Sequence, residues 1–101
     1  MGGYGTFDLV SHHPELFAAA APICGGADLE LLNNAKKIPF WIFHGNEDRV
    51  VPVKHSRDAY QLLKTFSNQN IYTEYKGVGH NAWEYVFKEK KYFEWFFEKI
   101  R

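Results

Sequence analysis

A single cysteine, Cys24, stands in a chain of 101 residues, so no disulfide can form within it and the redox compartment is left open. Charge of one sign is missing too: twelve basic residues are balanced by twelve acidic ones. A protein that neutralises phosphates normally carries a basic excess, so nucleic acid is not expected as a partner. No apolar run approaches the roughly twenty residues that a membrane-spanning helix needs, and no membrane role is expected. Met1 is followed by glycines rather than by a basic and then an apolar stretch, so no secretory leader is read here. Location stays open between cytoplasm and exterior. There is no repeat, linker or low-complexity tract. Five histidines invite a zinc site, but no pair is spaced with a cysteine or carboxylate in a ligand pattern, so neither metal nor cofactor is expected.

Aromatic side chains are abundant instead: nine Phe, six Tyr and three Trp. A domain this small buries only about 60% of its unfolded surface. The rings must therefore stay partly exposed or pack against something outside these residues, and the second is the expectation.

Short apolar runs alternate with longer amphipathic stretches, the pattern of βαβ units and a parallel sheet. Gly2 to His13 predicts a helix, with Tyr4, Phe7 and Val10 at helical spacing and Pro14 as its stop. Phe17 to Cys24 suits a buried strand ended by Gly25-Gly26, and a short helix follows around Asp28 to Asn34. Ile38 to Phe43 is the clearest strand, continuous and aromatic as expected when both faces are covered. Pro52 opens a helix with Ala59, Leu62, Leu63 and Phe66 on one face. Ile71 to Lys76 alternates and predicts a strand with one wetter side. A final helix then places Trp83, Val86, Phe87, Phe93, Phe96, Phe97 and Ile100 along one stripe. The order is helix, strand, helix, strand, helix, strand, helix. Three parallel strands make an uncomfortable domain on their own, because a buried parallel sheet needs both edges protected. A chain that opens on a glycine-rich helix reads as starting in mid-fold; the rival reading is a complete three-stranded α/β miniature.

Two loops carry the chemistry, and both follow strands. The first is His44-Gly45-Asn46-Glu47-Asp48-Arg49-Val50-Val51-Pro52; the second is Lys76-Gly77-Val78-Gly79-His80-Asn81-Ala82-Trp83. Reactive groups in open α/β sheets gather at the carboxyl ends of the strands. A carboxylate after one strand and a histidine after the next can meet there, as the general-base half of a triad. Asp48 also suits a helix cap, and Glu47 is the fallback acid. His80 also suits an ordinary surface turn. His44 ends a strand and is expected to bond to nearby backbone; His12, His13 and His55 are expected on helix surfaces. Ser11, Ser56 and Ser67 are the only serines, and none sits on a tight strand–turn–helix elbow. Cys24 is expected to act as a small buried hydrophobe.

The phrase His-Gly-x-x-Asp-x-x-Val-Pro, followed by Gly-His before the last helix, resembles the C-terminal part of α/β-hydrolases of the dienelactone-hydrolase-like, prolyl-oligopeptidase-like and feruloyl-esterase-like branches. Met1-Gly2-Gly3-Tyr4-Gly5 is similar to their nucleophile elbow, Gly-x-Ser-Met-Gly-Gly-x-Gly, starting one residue after the serine. The resemblance runs the length of the chain, with Pro22-Ile23-Cys24-Gly25-Gly26 in register. It implies a partial α/β-hydrolase fold over residues 1–101, about three parallel strands with flanking helices. It implies Asp48 as triad acid and His80 as triad base, with Met1 at the position whose amide joins the oxyanion hole. The nucleophile is absent, so the chain alone is expected to be inactive, and its substrate in the intact enzyme would be a small ester or, second, a peptide. Trp83 either lines the substrate site or begins the apolar stripe of the last helix. Two other readings stand beside this one. In the first, a non-catalytic fragment completes a missing N-terminal half or pairs with itself. In the second, a flavodoxin-like ligand domain is proposed, but it lacks a phosphate-cradling glycine loop.

Overall fold

The computed structural model describes residues 2–99, excepting the side chains of Lys90, Tyr92, Phe93 and Phe97. The elements in chain order are α1 (Gly2–His12), α2 (Leu29–Leu32), β1 (Trp41–Gly45), α3 (Lys54–Leu63), β2 (Ile71–Tyr75), α4 (Trp83–Val86) and α5 (Lys90–Lys99), with single 3₁₀ turns at Pro14–Leu16, Asn33–Ala35 and His80–Ala82. β1 and β2 pair in parallel, Trp41 opposite Ile71 and Gly45 opposite Tyr75.

The first expected strand is present only as two parallel bridges, Ala20 to Phe40 and Ile23 to Phe43. Its register is regular: Ala20 donates to Pro39, Trp41 to Ala20, Phe43 to Pro22 and Cys24 to Phe43. Pro22 has no N–H to give, so one rung is missing and the ladder splits. The segment does the work of a third strand without its continuous pairing. β1 therefore lies between two neighbours and is buried along its whole length, whereas every residue of β2 is half-buried.

Side chains of β1 alternate between two cores. Phe40 and Ile42 join Phe7 and Val10 of α1, Leu32 of α2, and Ala59 and Leu63 of α3. Trp41 and Phe43 face the other way, against Val86 and Trp95. α1, α2 and α3 thus cover one face of the sheet and the C-terminal helices the other. α2 starts where Asp28 caps the amides of Glu30 and Leu31.

The expected last helix is broken in two. The amides of Lys88 and Glu89 bond back three residues, to Tyr85 and Val86, which tightens the chain into a turn before Lys90. Of the expected stripe, Val86 is buried but Phe87 is 57% exposed. Ile100 and the side chains of Phe93 and Phe97 lie outside what is described. Trp83 and Tyr85 are each 44% exposed, so part of the aromatic surplus faces outward.

Asn70, 5% exposed, was not singled out from the sequence. Its carbonyl oxygen accepts from the Phe40 amide at 2.8 Å, and its amide nitrogen donates to Leu63 at 2.9 Å. It ties the start of β1 to the end of α3. Asn70→Ala strands the buried Phe40 N–H, while the Leu63 carbonyl keeps the Phe66 amide, and urea denaturation is expected to show a loss of about 1–3 kcal/mol.

Candidate hydrolytic site

β1 ends at His44-Gly45 and β2 at Tyr75, side by side, so the loops that follow leave the sheet together. They are stitched by main-chain bonds: Asn46 N–H to Tyr75, Glu47 N–H to Val78, and Gly77 N–H to the Asn46 side chain. Gly45 is where the two backbones touch. A Cβ at this position would lie 2.1 Å from the Val78 carbonyl oxygen, a distance no side chain tolerates.

On this platform Asp48 and His80 meet. His80 Nδ1 lies 2.8 Å from Asp48 Oδ2. A carboxylate oxygen only accepts, so the proton sits on Nδ1, and Nε2 of the neutral ring holds a lone pair. His80 is 30% exposed by its side chain, while that of Asp48 is fully covered. Asp48 Oδ1 accepts from the amides of Val50 and Val51, each at 2.8 Å. The carboxylate thus closes its own loop by a tight turn and presents its other oxygen to the histidine; it does not cap α3, whose N-terminal position Val53 has no side-chain cap. Burial alone would raise the Asp48 pKa, but the Val51 amide, the His80 ring and the Val50 amide outweigh it and hold the carboxyl below its usual range.

His80 lines a cavity of about 500 Å³ with Trp83, Gly2, Gly3, Ala21 and Ile23. The Trp83 ring stands edge-on to the His80 ring at 6.3 Å. The start of α1 reaches this cavity because Gly3 and Gly25 pack backbone to backbone; a Cβ on Gly25 would fall 2.2 Å from the Gly3 carbonyl carbon. A hollow of about 580 Å³ elsewhere, lined by Tyr4, Asp8, Ser11, Asp28 and His55 among others, contains neither Asp48 nor His80. The position of Met1 lies outside the described residues.

Two further groups crowd Asp48. His44 is fully buried, with Nε2 2.8 Å from the Val51 carbonyl and 3.2 Å from Asp48 Oδ2. Its bond to backbone was expected; its approach to Asp48 was not, although the spacing of four residues was visible. Cys24 is buried, adopts a left-handed φ of 54°, and directs its thiol to the His80 carbonyl at 3.6 Å. Burial pushes the thiol pKa up, as suits an inert group. Cys24, His44 and Asp48 bring donor atoms within 4.8 Å of one another, a grouping that sequence spacing did not reveal. Both Asp48 oxygens and His44 Nε2 are already committed to hydrogen bonds, so a cation there would have to displace them.

The serines behave as expected. Ser56 Oγ, Nδ1 of His44 and Asp48 form a second Ser–His–Asp chain, but all three side chains are at 0% exposure and no substrate can reach them. Ser11 Oγ is buried beside the other hollow without a hydrogen-bond partner, and Ser67 Oγ accepts from the Gln69 amide. Glu47 is exposed.

Both depressed ionisations make the fold acid-sensitive. Burial, the first cause, also pushes the His44 pKa down, outweighing the Val51 carbonyl and Asp48. A base with a lowered folded pKa stabilises the protein above its ordinary pKa and loses that contribution as pH falls. The lowered Asp48 acts in the same direction, over the more acidic carboxylate range. Urea titrations at stepped pH are expected to show stability declining as pH falls through the ordinary histidine range, by at most about 1.4 kcal/mol per pH unit from His44. His44→Gln should abolish that near-neutral part and keep the acidic part.

Comparison with known proteins shows the family. A family model described as phospholipase/carboxylesterase matches residues 17–93, which include Asp48 and His80. The crystal structure of a thermostable esterase is similar to 97% of the chain, at 40% identity and a TM-score of 0.92. Esterase LipC of Mycobacterium tuberculosis is 35% identical over 72 residues, 70% of this chain. Arabidopsis thaliana SOBER1, at 22% identity and a TM-score of 0.70 over 98% of the chain, shares the fold. The chain spans 28% of the thermostable esterase, 16% of LipC and 49% of SOBER1. With the family model matching residues 17–93 and the fold shared with the thermostable esterase, the chain belongs to the phospholipase/carboxylesterase family and carries part of the α/β-hydrolase fold.

Proposed function

We propose that the chain supplies the acid and the base of a serine carboxylesterase, with Asp48 orienting His80. The 2.8 Å bond from His80 Nδ1 to Asp48 Oδ2 carries this reading, because it leaves Nε2 basic on a ring that lines an open cavity. The nucleophile is a serine expected immediately before Met1, at the head of α1. Its hydroxyl proton passes to His80 Nε2 as its oxygen bonds to the ester carbonyl carbon, and the buried Asp48 carboxylate stabilises the imidazolium that results. The same proton then leaves with the alcohol, and water repeats the sequence to release the acid. The Met1 amide is proposed as an oxyanion donor, and Trp83 as a wall of the substrate site with the apolar Ala21 and Ile23. Esters are favoured over peptides by the family description and by relatives named as esterases. The branch motifs read from the sequence, dienelactone-hydrolase-like among them, are finer than this and add no substrate.

The 101-residue chain is expected to turn over no p-nitrophenyl ester. Turnover that disappears in His80→Ala would put a nucleophile within these residues and overturn the reading. In a longer protein carrying an in-frame Gly-x-Ser ahead of Met1, Asp48→Asn is expected to lower kcat by about 10⁴-fold with KM little changed, measured by steady-state ester hydrolysis.

A further inference from the structure

His44 is unused by the mechanism above, yet every polar atom of its ring has a partner. Nδ1 lies 2.6 Å from Ser56 Oγ, and Nε2 lies 2.8 Å from the Val51 carbonyl and 3.2 Å from Asp48 Oδ2. A carbonyl and a carboxylate only accept, so Nε2 carries a hydrogen. A ring with no exposure is held neutral, so Nδ1 has a lone pair and the Ser56 hydroxyl donates to it. That hydroxyl has one proton, which it also donates to the Gly25 carbonyl at 2.8 Å, so the two acceptors share it. The acceptors at Nε2 thereby fix the tautomer, and its N–H, bonded to the Val51 carbonyl, also faces Asp48 Oδ2 at 3.2 Å.

The consequence falls on Asp48 Oδ2. The amides of Val50 and Val51 hold only Oδ1. Turning the carboxylate about its last bond moves both oxygens together, so a group that holds Oδ2 adds to the amides' hold on Oδ1 and fixes where His80 is met. We infer that His44, in its Nε2–H tautomer, is a positioning residue that holds Asp48 Oδ2 toward His80 Nδ1. This rests on the acid–base pair proposed above. The ionisable groups coupled to the His44 ring are Asp48, His80 and, through its charge, Glu74; the Cys24 thiol sits beside it and is spent on the His80 carbonyl.

The test is ¹⁵N NMR of the full chain, reading the two ring nitrogens of each histidine. His44 is expected to stay neutral with its hydrogen on Nε2 throughout the range in which a free histidine titrates. A hydrogen on Nδ1, or a charged ring in that range, overturns the inference without any substitution. At alkaline pH His80 is expected in its Nδ1–H form. His44→Gln, which keeps an N–H near the same place, should retain that form. His44→Leu, of similar bulk without a donor, should lower the Nδ1–H to Nε2–H ratio of His80 by about fivefold. An unchanged ratio in a folded His44→Leu chain overturns the inference. Asp48→Asn separates the two readings. If the His80 tautomer does not depend on Asp48, the acid–base pair itself fails; if it depends on Asp48 and not on His44, only the positioning role does.

Discussion

A single buried carboxylate organises the reactive end of this protein. Asp48 offers two oxygens: two amides of its own loop hold one, the accessible His80 ring bonds the other, and the buried His44 ring lies 3.2 Å from that second oxygen. Such a group is costly to bury unless it is fully bonded. The loop after β1 must therefore curl back so that Val50 and Val51 reach it, and the loop after β2 must deliver His80 to the one side left open. Protein architecture and reactive chemistry share the same three bonds.

Much of this was legible from residue order. The clear strand at Ile38 to Phe43 and the helix after Pro52 formed close to their expected places, because continuous apolar runs and a helix-opening proline are strong local signals. Asp48 and His80 met because each follows one of two adjacent parallel strands, where strand ends converge as the α/β rule describes. The parts that were not legible share one cause, which is dependence on distant partners. Pro22 does not forbid a strand locally; it removes a rung only once β1 lies beside it. The last helix breaks where main-chain bonding tightens from four residues to three, although apolar spacing continues across the break. His44 showed its motif position but not its second bond, since nothing in the sequence says that position 56 will lie on the same face of the sheet.

Small residues set the tolerances. Gly3 and Gly25 bring α1 against the turn after the third strand segment, which is how the head of that helix comes to share a cavity with His80. Cys24, next in line, accepts a left-handed backbone that costs about 1 kcal/mol or more, a kind of strain that collects at reactive sites. Its thiol answers by tethering the main chain of His80. Farther out, Arg57 grips Glu74 with two bonds of 2.7 Å and keeps that carboxyl near 2, fastening α3 to the outer strand.

The stitching between the two loops has a consequence for how this enzyme family can vary. Asn46 with Tyr75, Glu47 with Val78, and the bare backbone of Gly45 against Val78 all act through the main chain or lie outside the reacting pair. The bases of the two loops are thus joined by bonds that use neither the Asp48 carboxylate nor the His80 ring. Evolution can exchange the histidine and inherit the frame intact, whereas exchanging Asp48 also unfastens the turn at Val50 and Val51.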